Sequence, residues 1–176
     1  EDISLRQRLR YSGLMNAVAA AKFPGSILAL TGPSGVGKST TSRMLTRVCS
    51  EYTASVPILT TRAAKPGDDG EYVYTTQREF ERMQSAGAIV ASTRIPSSSE
   101  DRQYGYRGAD IEAIWKKGKV PIVITEMHLL EGLARHYGRR SILSFGLLPH
   151  GKSKRAKLSQ LLHRLRARGR DSEAPT

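Results

Sequence analysis

The chain has a single cysteine, Cys49, and aromatic residues make up only 6% of its 176 residues. A lone cysteine cannot form an internal disulfide, so the composition indicates a reducing, intracellular compartment. No apolar run approaches the ~20 residues that a membrane-crossing helix needs, so we expect no contact with a membrane. The basic segments are not interleaved with aromatic side chains, which disfavours a stacking platform for single-stranded nucleic acid.

Acidic residues are scarce. Sixteen Asp and Glu stand against 28 Lys and Arg, which gives a formal net charge of +12. Much of the excess lies in RQRLR near the start and in residues 151–170, so we expect anionic partners, whether nucleotides, RNA or a ribonucleoprotein bound through a basic face. The Arg-rich, acid-poor residues 6–23 predict a helix; the alternative is the remnant of an organelle-targeting segment, so both a cytoplasmic and an organellar (mitochondrial) location stay open.

Hydrophobic periodicity predicts strands alternating with helices. An opening helix is predicted to end near residues 23–25, and Met44, Leu45 and Val48 are expected to face inward from the second helix. Strands are predicted over residues 27–31, 55–60, 72–76, 88–93, 120–125 and 141–148. Helices are predicted over residues 39–52, 77–87, 109–119 and 129–138, with a basic amphipathic helix over 153–168 and a polar loop over 94–103. This order predicts an α/β fold with a mostly parallel sheet covered on both faces.

A phosphate-binding loop follows the first predicted strand. The stretch TGPSGVGKST fits G-x-x-x-x-G-K-[ST], in which the glycines let backbone N–H groups face a phosphate. We therefore predict ATP or GTP binding, with Lys38 as a catalytic cation on the β- and γ-phosphates and the Ser39 hydroxyl as a ligand of Mg²⁺. The residues predicted to contact the nucleotide phosphates are Gly32, Pro33, Ser34, Gly35, Val36, Gly37, Lys38, Ser39 and Thr40.

Further cations and phenols suit a second phosphate group. Arg62, Lys65, Tyr72 and Tyr104 lie on short segments downstream of the loop, and side chains of these types hold phosphate by charge and hydrogen bonds. Arg164 and Arg168 are four residues apart on the last predicted helix, so they share one face. If that face meets the phosphates, both arginines neutralise charge during phosphoryl transfer; otherwise they form a solvated stripe.

Taken together, GPSGVGKST, TTRAAKPGDDGEYVYTTQREF, the YG pair at Tyr104 and RLRARGRDSE resemble the guanylate kinase family over residues 25–173. The resemblance implies a P-loop NTPase fold over residues 25–176, preceded by an extension over 1–24. It further implies an acceptor-binding subdomain over about 57–107, a lid over about 164–176 and a further C-terminal helix that this sequence does not include. It also implies ATP and Mg²⁺ as cofactors, with Arg62, Lys65, Tyr72 and Tyr104 on the acceptor phosphate and Arg164 and Arg168 on the transferring group.

The departures from the family cluster in the acceptor pocket. Ile58 stands where the family has a serine that touches guanine, and Ala91 stands where a glutamate reads the guanine edge. Tyr106 replaces a small hydroxyl residue, and of the family's Asp-x-Asp only Glu126 keeps a carboxylate. Residues 96–102 resemble an insertion. A base-reading site that loses its polar partners loses several kcal/mol of discrimination, so we expect GMP not to be the preferred acceptor.

Four functions are compatible with these sequence features. The first is a kinase that transfers phosphate from Mg-ATP to a phosphorylated small molecule resembling a nucleoside monophosphate. The second is a kinase fold recruited as a nucleotide- or RNA-binding module of a ribonucleoprotein. The third is a sugar phosphate kinase similar to the ribose 1,5-bisphosphate kinases, and the fourth is a P-loop ATPase or GTPase switch. The four histidines show no metal-ligand spacing, so Mg²⁺ is the metal we expect.

Overall fold

The computed structural model describes residues 25–65, 68, 70–95 and 101–167. The predicted opening helix, the middle of the predicted polar loop (residues 96–100) and Arg168 lie outside these residues. Eight strands are described: β1 Ile27–Thr31, β2 Thr53–Ser55, β3 Ile58–Thr60, β4 Tyr72–Tyr74, β5 Ile89–Ile95, β6 Arg102–Arg107, β7 Val120–Thr125 and β8 Ile142–Gly146. The α-helices are α1 Lys38–Val48, α2 Gln77–Ser85, α3 Gly108–Lys116, α4 Met127–Tyr137 and α5 Lys154–Ala167, with a 3₁₀ turn over Arg139–Ser141.

The strands form two four-stranded sheets. The parallel sheet has the order β2-β7-β1-β8, and its neighbouring strands all run in the same direction. The mixed sheet has the order β4-β3-β6-β5, in which β6 is antiparallel to both of its neighbours. The predicted α/β fold with a mostly parallel sheet flanked by helices is confirmed. Because the carboxyl ends of parallel strands share one edge, the loops after β1 and β7 meet there.

One core joins the two sheets. Ile27, Ala29 and Val123 of the parallel sheet belong to the same buried cluster as Ile58 and Tyr106 of the mixed sheet. Helices α3 and α4 complete this cluster, through Ile111 and Ile114 and through Leu129 and Leu133 respectively. A second, smaller cluster of Leu59, Phe80 and Ile89 lies beneath α2. The shared core fixes the mixed sheet close to the edge of the parallel sheet where the loops meet.

Three local predictions were wrong. The single strand over residues 55–60 is two strands in different sheets, since Val56 N–H donates to Ile122 O beside β7 while Ile58 N–H donates to Glu71 O beside β4. The predicted loop over 94–103 is strand at both ends, because β5 continues to Ile95 and β6 begins at Arg102. On α1, Met44 is 60% and Val48 76% exposed, so these two side chains do not face inward. The buried residue of α1 is Ser42, whose hydroxyl hydrogen-bonds that of Ser55 at 2.9 Å.

Candidate functional site

The loop between β1 and α1 encloses the amine of Lys38. Lys38 Nζ donates to the carbonyl oxygens of Gly32 at 2.7 Å and Pro33 at 3.0 Å. Gly32 has φ 141°, and a Cβ there would lie 2.4 Å from the carbonyl oxygen of Leu147, so no side chain fits. Helix α1 begins without a side-chain cap and without an acidic residue in its first turn. Its N-terminal N–H groups are therefore open to an anion, as nucleotide binding requires.

Helix α5 lies against this loop. Arg164 Nη1 donates to the carbonyl oxygen of Val36 at 3.2 Å, so one of the two predicted lid arginines is at the phosphate-binding loop. The side chain of Leu165 is next to Gly35, where an added Cβ would lie 3.3 Å from Leu165 Cδ2. Arg168, the second predicted lid arginine, lies outside the described residues, and its role stays a prediction.

Oxygen ligands suited to Mg²⁺ meet at the start of α1. Ser39 Oγ donates to Glu71 Oε1 at 3.1 Å, across the cleft between the parallel and the mixed sheet. The Thr125 hydroxyl, at the carboxyl end of β7, is buried and has no hydrogen-bond partner among the described residues. Hydroxyl and carboxylate oxygens are the ligands that Mg²⁺ prefers, and the ion usually retains several waters beside substrate phosphates. The residues present therefore fit the predicted magnesium ion.

Arg62 is the centre of the predicted acceptor-phosphate group. Its side chain is 7% exposed and forms a 2.6 Å ion pair with Asp68. The guanidinium carbon lies 4.3 Å from the ring centroid of Tyr72, within reach of a cation–π interaction. Tyr72 packs edge-to-face with Tyr104, and their ring centroids are 6.5 Å apart. Lys65 lies in the same turn, where its backbone N–H donates to Asp68 Oδ2 at 2.8 Å.

Burial and charge shift the pKa values in this group. Burial opposes ionisation of both Arg62 and Asp68, but their hydrogen bonds and mutual attraction prevail, so the pKa of Arg62 is raised and that of Asp68 is lowered far below its usual range. Burial raises the pKa of Tyr72 to about 12 and also raises the pKa of Tyr104. Both phenols are therefore neutral hydrogen-bond donors at pH 7, suited to a phosphate oxygen.

A cavity of about 240 Å³ connects the phosphate-binding loop to the mixed sheet. Its lining includes Ser34, Gly35, Gly37, Lys38 and Ser39 of the loop, with Ile58, Glu71, Tyr72, Thr93, Tyr104, Thr125 and Glu126 opposite. The structure thus brings Tyr72 and Tyr104 into the same cleft as Lys38. Arg62 is buried next to Tyr72 and, like Lys65, is not part of the lining.

The predicted base-reading positions are filled with apolar or hydrogen-bonded groups. Ile58 is 5% exposed in the shared core. Ala91 does not line the cleft cavity. It packs against α4 so closely that a Cβ added at Gly132 would lie 2.8 Å from the Ala91 methyl. Ala91 instead lines a second cavity, of about 580 Å³, between β5 and α4. Glu126 accepts hydrogen bonds from the N–H groups of Leu129 and His128 at 2.9 and 3.0 Å, and therefore caps α4.

Tyr106 is completely buried, with 0% exposure, between β6 and β7. Its hydroxyl donates to Ile124 O at 2.7 Å and accepts from Ile124 N–H at 2.9 Å. Strand β2 pairs with β7 only as far as Ile122. Beyond that residue the phenol of Tyr106 takes the place of a neighbouring strand and hydrogen-bonds the backbone N–H and carbonyl of Ile124. Burial raises the pKa of Tyr106 far above its usual value, so the hydroxyl stays protonated.

Comparison with known proteins agrees with this arrangement of loop, cleft and sheets. The guanylate kinase family model matches residues 25–136. The chain belongs to the guanylate kinase family. The predicted family resemblance and the predicted class, a guanylate kinase-like phosphotransferase, are therefore confirmed.

Individual relatives give the extent of the similarity. A guanylate kinase of Thermosynechococcus vestitus is 31% identical over 157 residues, which cover 88% of this chain and 75% of that protein. One of Trichormus variabilis is 32% identical over 154 residues, covering 85% of this chain and 69% of that protein. The crystal structure of guanylate kinase from Anaplasma phagocytophilum superposes with a TM-score of 0.55 at 22% identity, covering 83% of this chain and 66% of that one. The structural similarity to this last protein supports the α/β fold described above.

Sequence reasoning missed three groups at this guanylate kinase-like site. Asp68 and Glu71 both lie in TTRAAKPGDDGEY, the stretch that carries the resemblance, but their partners are Arg62 and Ser39, six and 32 residues away. Thr125 is the middle residue of the stretch that stands in place of the family's Asp-x-Asp, and the sequence predicts no role for it. Glu71 could have been noticed in the sequence because it directly precedes Tyr72, a predicted phosphate-binding residue. Asp68 could have been noticed because it begins an acidic pair that closely follows two predicted phosphate-binding cations, Arg62 and Lys65.

Proposed function

We propose that this member of the guanylate kinase family transfers the γ-phosphoryl group of Mg-ATP to the phosphate of a compact acceptor that carries no purine base. One observation supports this most directly: Tyr106 is buried in the position of a small hydroxyl residue of the family pattern, and its hydroxyl is bonded to β7. With Ile58 and Ala91 also in the core, no polar side chain at these positions is left to bind a base edge.

The size of the cleft supports a compact acceptor. Its 240 Å³ must hold the acceptor beside the terminal phosphates of ATP. Pockets for drug-sized ligands measure about 300–1,000 Å³. A sugar phosphate of the size of ribose 1,5-bisphosphate needs less of this space than a nucleotide with its base, so the cleft is compatible with the sugar phosphate kinase among the alternatives.

The chemistry requires positioning and charge neutralisation. An acceptor phosphate oxygen forms a bond to the γ-phosphorus as the bond from that phosphorus to the β–γ bridging oxygen breaks, and ADP leaves. Because the attacking oxygen is already an anion, no side-chain base is needed. When bound, Mg²⁺ neutralises charge on the β- and γ-oxygens. Lys38 and Arg164 stabilise the transferring group. Tyr72 and Tyr104, which line the cleft, bind the acceptor phosphate, while Arg62 against Tyr72 and Lys65 in the same turn add positive charge close to it.

The test is ADP formation from Mg-ATP across a panel of nucleoside monophosphates and sugar phosphates. We expect stimulation by an acceptor in the wild-type protein, and a fall of about 100-fold or more in Lys38→Ala, because a cation on the transferring phosphate is lost. Lys116→Ala, which removes an exposed lysine of α3, is the matched control and should keep the wild-type rate. Phosphotransfer that is equal in Lys38→Ala and the wild type would contradict the proposal.

A second candidate, a nucleotide-binding fold that also binds RNA, is favoured by helix α5. Arg155, His163 and Arg166 surround a surface hollow of about 370 Å³ beside Leu158 and Leu162. Binding of a labelled RNA that weakens steeply between about 50 and 200 mM salt would support this role, because released counterions drive such binding. Absence of binding at the lower salt concentration would exclude it.

A further inference from the structure

Glu71 is the acidic residue that reaches the predicted magnesium ligand. It comes directly before β4, and its backbone is fixed on both sides: its N–H donates to Asp68 O at 2.9 Å, and its carbonyl accepts from Ile58 N–H at 2.9 Å. From this position Oε1 accepts the Ser39 hydroxyl at 3.1 Å. A residue of the mixed sheet is thereby hydrogen-bonded to the first turn of α1, at the start of the helix that follows the phosphate-binding loop.

Within the described part of the chain, the parallel sheet and the loops that follow its strands supply no free carboxylate at this point. Among the described residues that line the cleft cavity, the acidic ones are Glu71 and Glu126. Both oxygens of Glu126 accept backbone N–H groups of α4, so that carboxylate is committed to the helix. Strand β7 ends in Ile124 and Thr125, which carry no charge. Among the described residues, Glu71 is therefore the acidic side chain available to a cation bound at Ser39.

The orientation of the Ser39 hydroxyl suits a metal ligand. Because its hydrogen points to Glu71, the lone pairs of Ser39 Oγ remain for a cation. A hydroxyl bound to Mg²⁺ becomes a stronger donor, and a carboxylate that accepts its hydrogen fixes its orientation and adds negative charge close to the ion. The buried Thr125 hydroxyl, which has no partner among the described residues, provides a further oxygen in the same cavity for a water of the ion.

We propose that Glu71 is the outer carboxylate of the magnesium site: it accepts the Ser39 hydroxyl hydrogen while the Ser39 oxygen binds the ion. This inference rests on the proposed nucleotide-binding function. The carboxylate comes from the segment between Asp68 and Tyr72, which belongs to the predicted acceptor site. The metal site therefore draws on both sheets, and its affinity for Mg²⁺ depends on the position of the mixed sheet.

The test measures metal affinity without turnover. The variant is Glu71→Gln, which keeps the shape and the acceptor oxygen of the side chain but removes its charge. The matched control is Glu51→Gln, which makes the same charge change at an exposed turn after the other end of α1. Binding of the non-hydrolysable ATP analogue adenylyl imidodiphosphate is followed by calorimetry with and without Mg²⁺, and Mn²⁺ bound in the same complex is followed by electron paramagnetic resonance.

In Glu71→Gln we expect the Mg²⁺ and Mn²⁺ affinities of the complex to fall by about 10- to 100-fold, the usual effect of losing a partner of a metal ligand. Binding of the metal-free analogue should stay equal or become tighter, because a negative charge near the phosphates is removed. Glu51→Gln should match the wild type in both measurements. Glu71→Asp, which keeps the charge but shortens the side chain, should lie between Glu71→Gln and the wild type.

Three results would overturn the inference. One is unchanged metal affinity in Glu71→Gln while the wild type binds the Mg-analogue complex. Another is tighter metal binding in that variant, which would mean that Glu71 competes with the ion for Ser39. The third is a loss of metal affinity in Glu126→Gln but not in Glu71→Gln. If the wild type fails to bind the analogue with or without Mg²⁺, the proposed function fails together with the inference.

Discussion

At the scale of single residues, the Tyr106 hydroxyl forms hydrogen bonds that link the two sheets. It satisfies both backbone groups of Ile124 on the edge of β7 that the short strand β2 leaves unpaired. A buried backbone group left without a partner costs about 1–3 kcal/mol. Because one phenol satisfies two such groups, Tyr106 stabilises the fold at the point where the family pattern has a small hydroxyl residue.

We predict that Tyr106→Phe lowers the free energy of unfolding by about 2–4 kcal/mol, since two buried backbone groups lose their partner. Urea unfolding followed by circular dichroism measures the change. Tyr137→Phe is the matched control, because the Tyr137 hydroxyl is buried without a hydrogen-bond partner among the described residues. Its removal should be neutral or slightly stabilising. Equal losses in the two variants would show that the Ile124 hydrogen bonds contribute nothing specific.

The Arg62–Asp68 pair predicts a pH dependence. Because the pKa of Asp68 is lower in the folded protein than the ~3.9 of an unfolded chain, the pair contributes its full stability above about pH 4. That contribution is lost as the pH falls from 4 through the folded pKa. We expect Asp68→Asn to be less stable than the wild type by about 1.5–3 kcal/mol at pH 7.

Urea unfolding of both proteins at pH 7, 5, 4 and 3 measures this difference. It should be constant from pH 7 to 5 and become smaller between pH 4 and 3, because the Asp68 carboxylate of the unfolded wild-type chain begins to bind a proton while that of the folded chain stays ionised. A difference that stays constant down to pH 3, or that grows, would contradict the assignment of the lowered pKa to Asp68. Asp110→Asn, which removes the partially exposed partner of Arg107, provides a surface ion pair for comparison.

At the scale of secondary-structure elements, α5 depends on the phosphate-binding loop for its position. None of its residues is completely buried, and Leu158 is 56% exposed. Its described contacts with the loop are the bond from Arg164 to Val36 O and the packing of Leu165 on Gly35. Gly35 has φ 79° and a Cβ there would be close to Leu165, so this glycine permits both the turn and the approach of the helix.

We predict that Leu165→Ala weakens the attachment of α5 by about 1 kcal/mol, because about half of a leucine side chain loses its contacts. Amide hydrogen exchange in α5 should then become about fivefold faster, with exchange in β1 and β7 unchanged. Leu158→Ala, on the exposed side of the same helix, should leave the α5 rates at their wild-type values. Equal acceleration in both variants would mean that helix propensity, and not the contact with Gly35, determines the stability of α5.

The order of strands and helices could be predicted because the buried strands ILALT and VPIVIT are continuous apolar runs, and because the loop motif requires a strand before it and a helix after it. The division of SVPILT at Pro57 could not, since β2 pairs with residue 120 onward and β3 with residues 72 and 104 onward. The predicted polar loop over 94–103 includes the first two residues of β6, a strand that has a partner on each side. Hydrogen bonding to neighbouring strands that are distant in sequence overrides the loop preference of the local residues.

At the scale of the whole molecule, the candidate site is a cleft between two sheets that share a core. The place of the glycine-rich loop between a buried strand and a helix could be predicted from the sequence, because the motif requires that local arrangement. Tyr72 and Tyr104 could be placed by resemblance, and the structure brings them to the same cavity as Lys38. The contacts from Glu71 to Ser39 and from Tyr106 to Ile124 could not be predicted, because they cross between the sheets.

None of the described helices is long and apolar enough to cross a membrane. The net charge of +12 is the remaining feature of the whole chain that predicts a partner. A phosphorylated acceptor and ATP are both anions, so a basic protein attracts both substrates. The same charge also underlies the RNA-binding candidate.

An acceptor without a purine base should be visible in the kinetics. The decisive quantity is kcat/KM for ADP formation with GMP, compared with sugar phosphates such as ribose 1,5-bisphosphate, at saturating Mg-ATP. Because a site without base-reading groups leaves the polar edge of guanine unpaired, we predict that a sugar phosphate exceeds GMP in kcat/KM by about 100-fold or more. GMP as the best acceptor of the panel would contradict the account and show that guanine is bound by residues other than those at positions 58, 91 and 106.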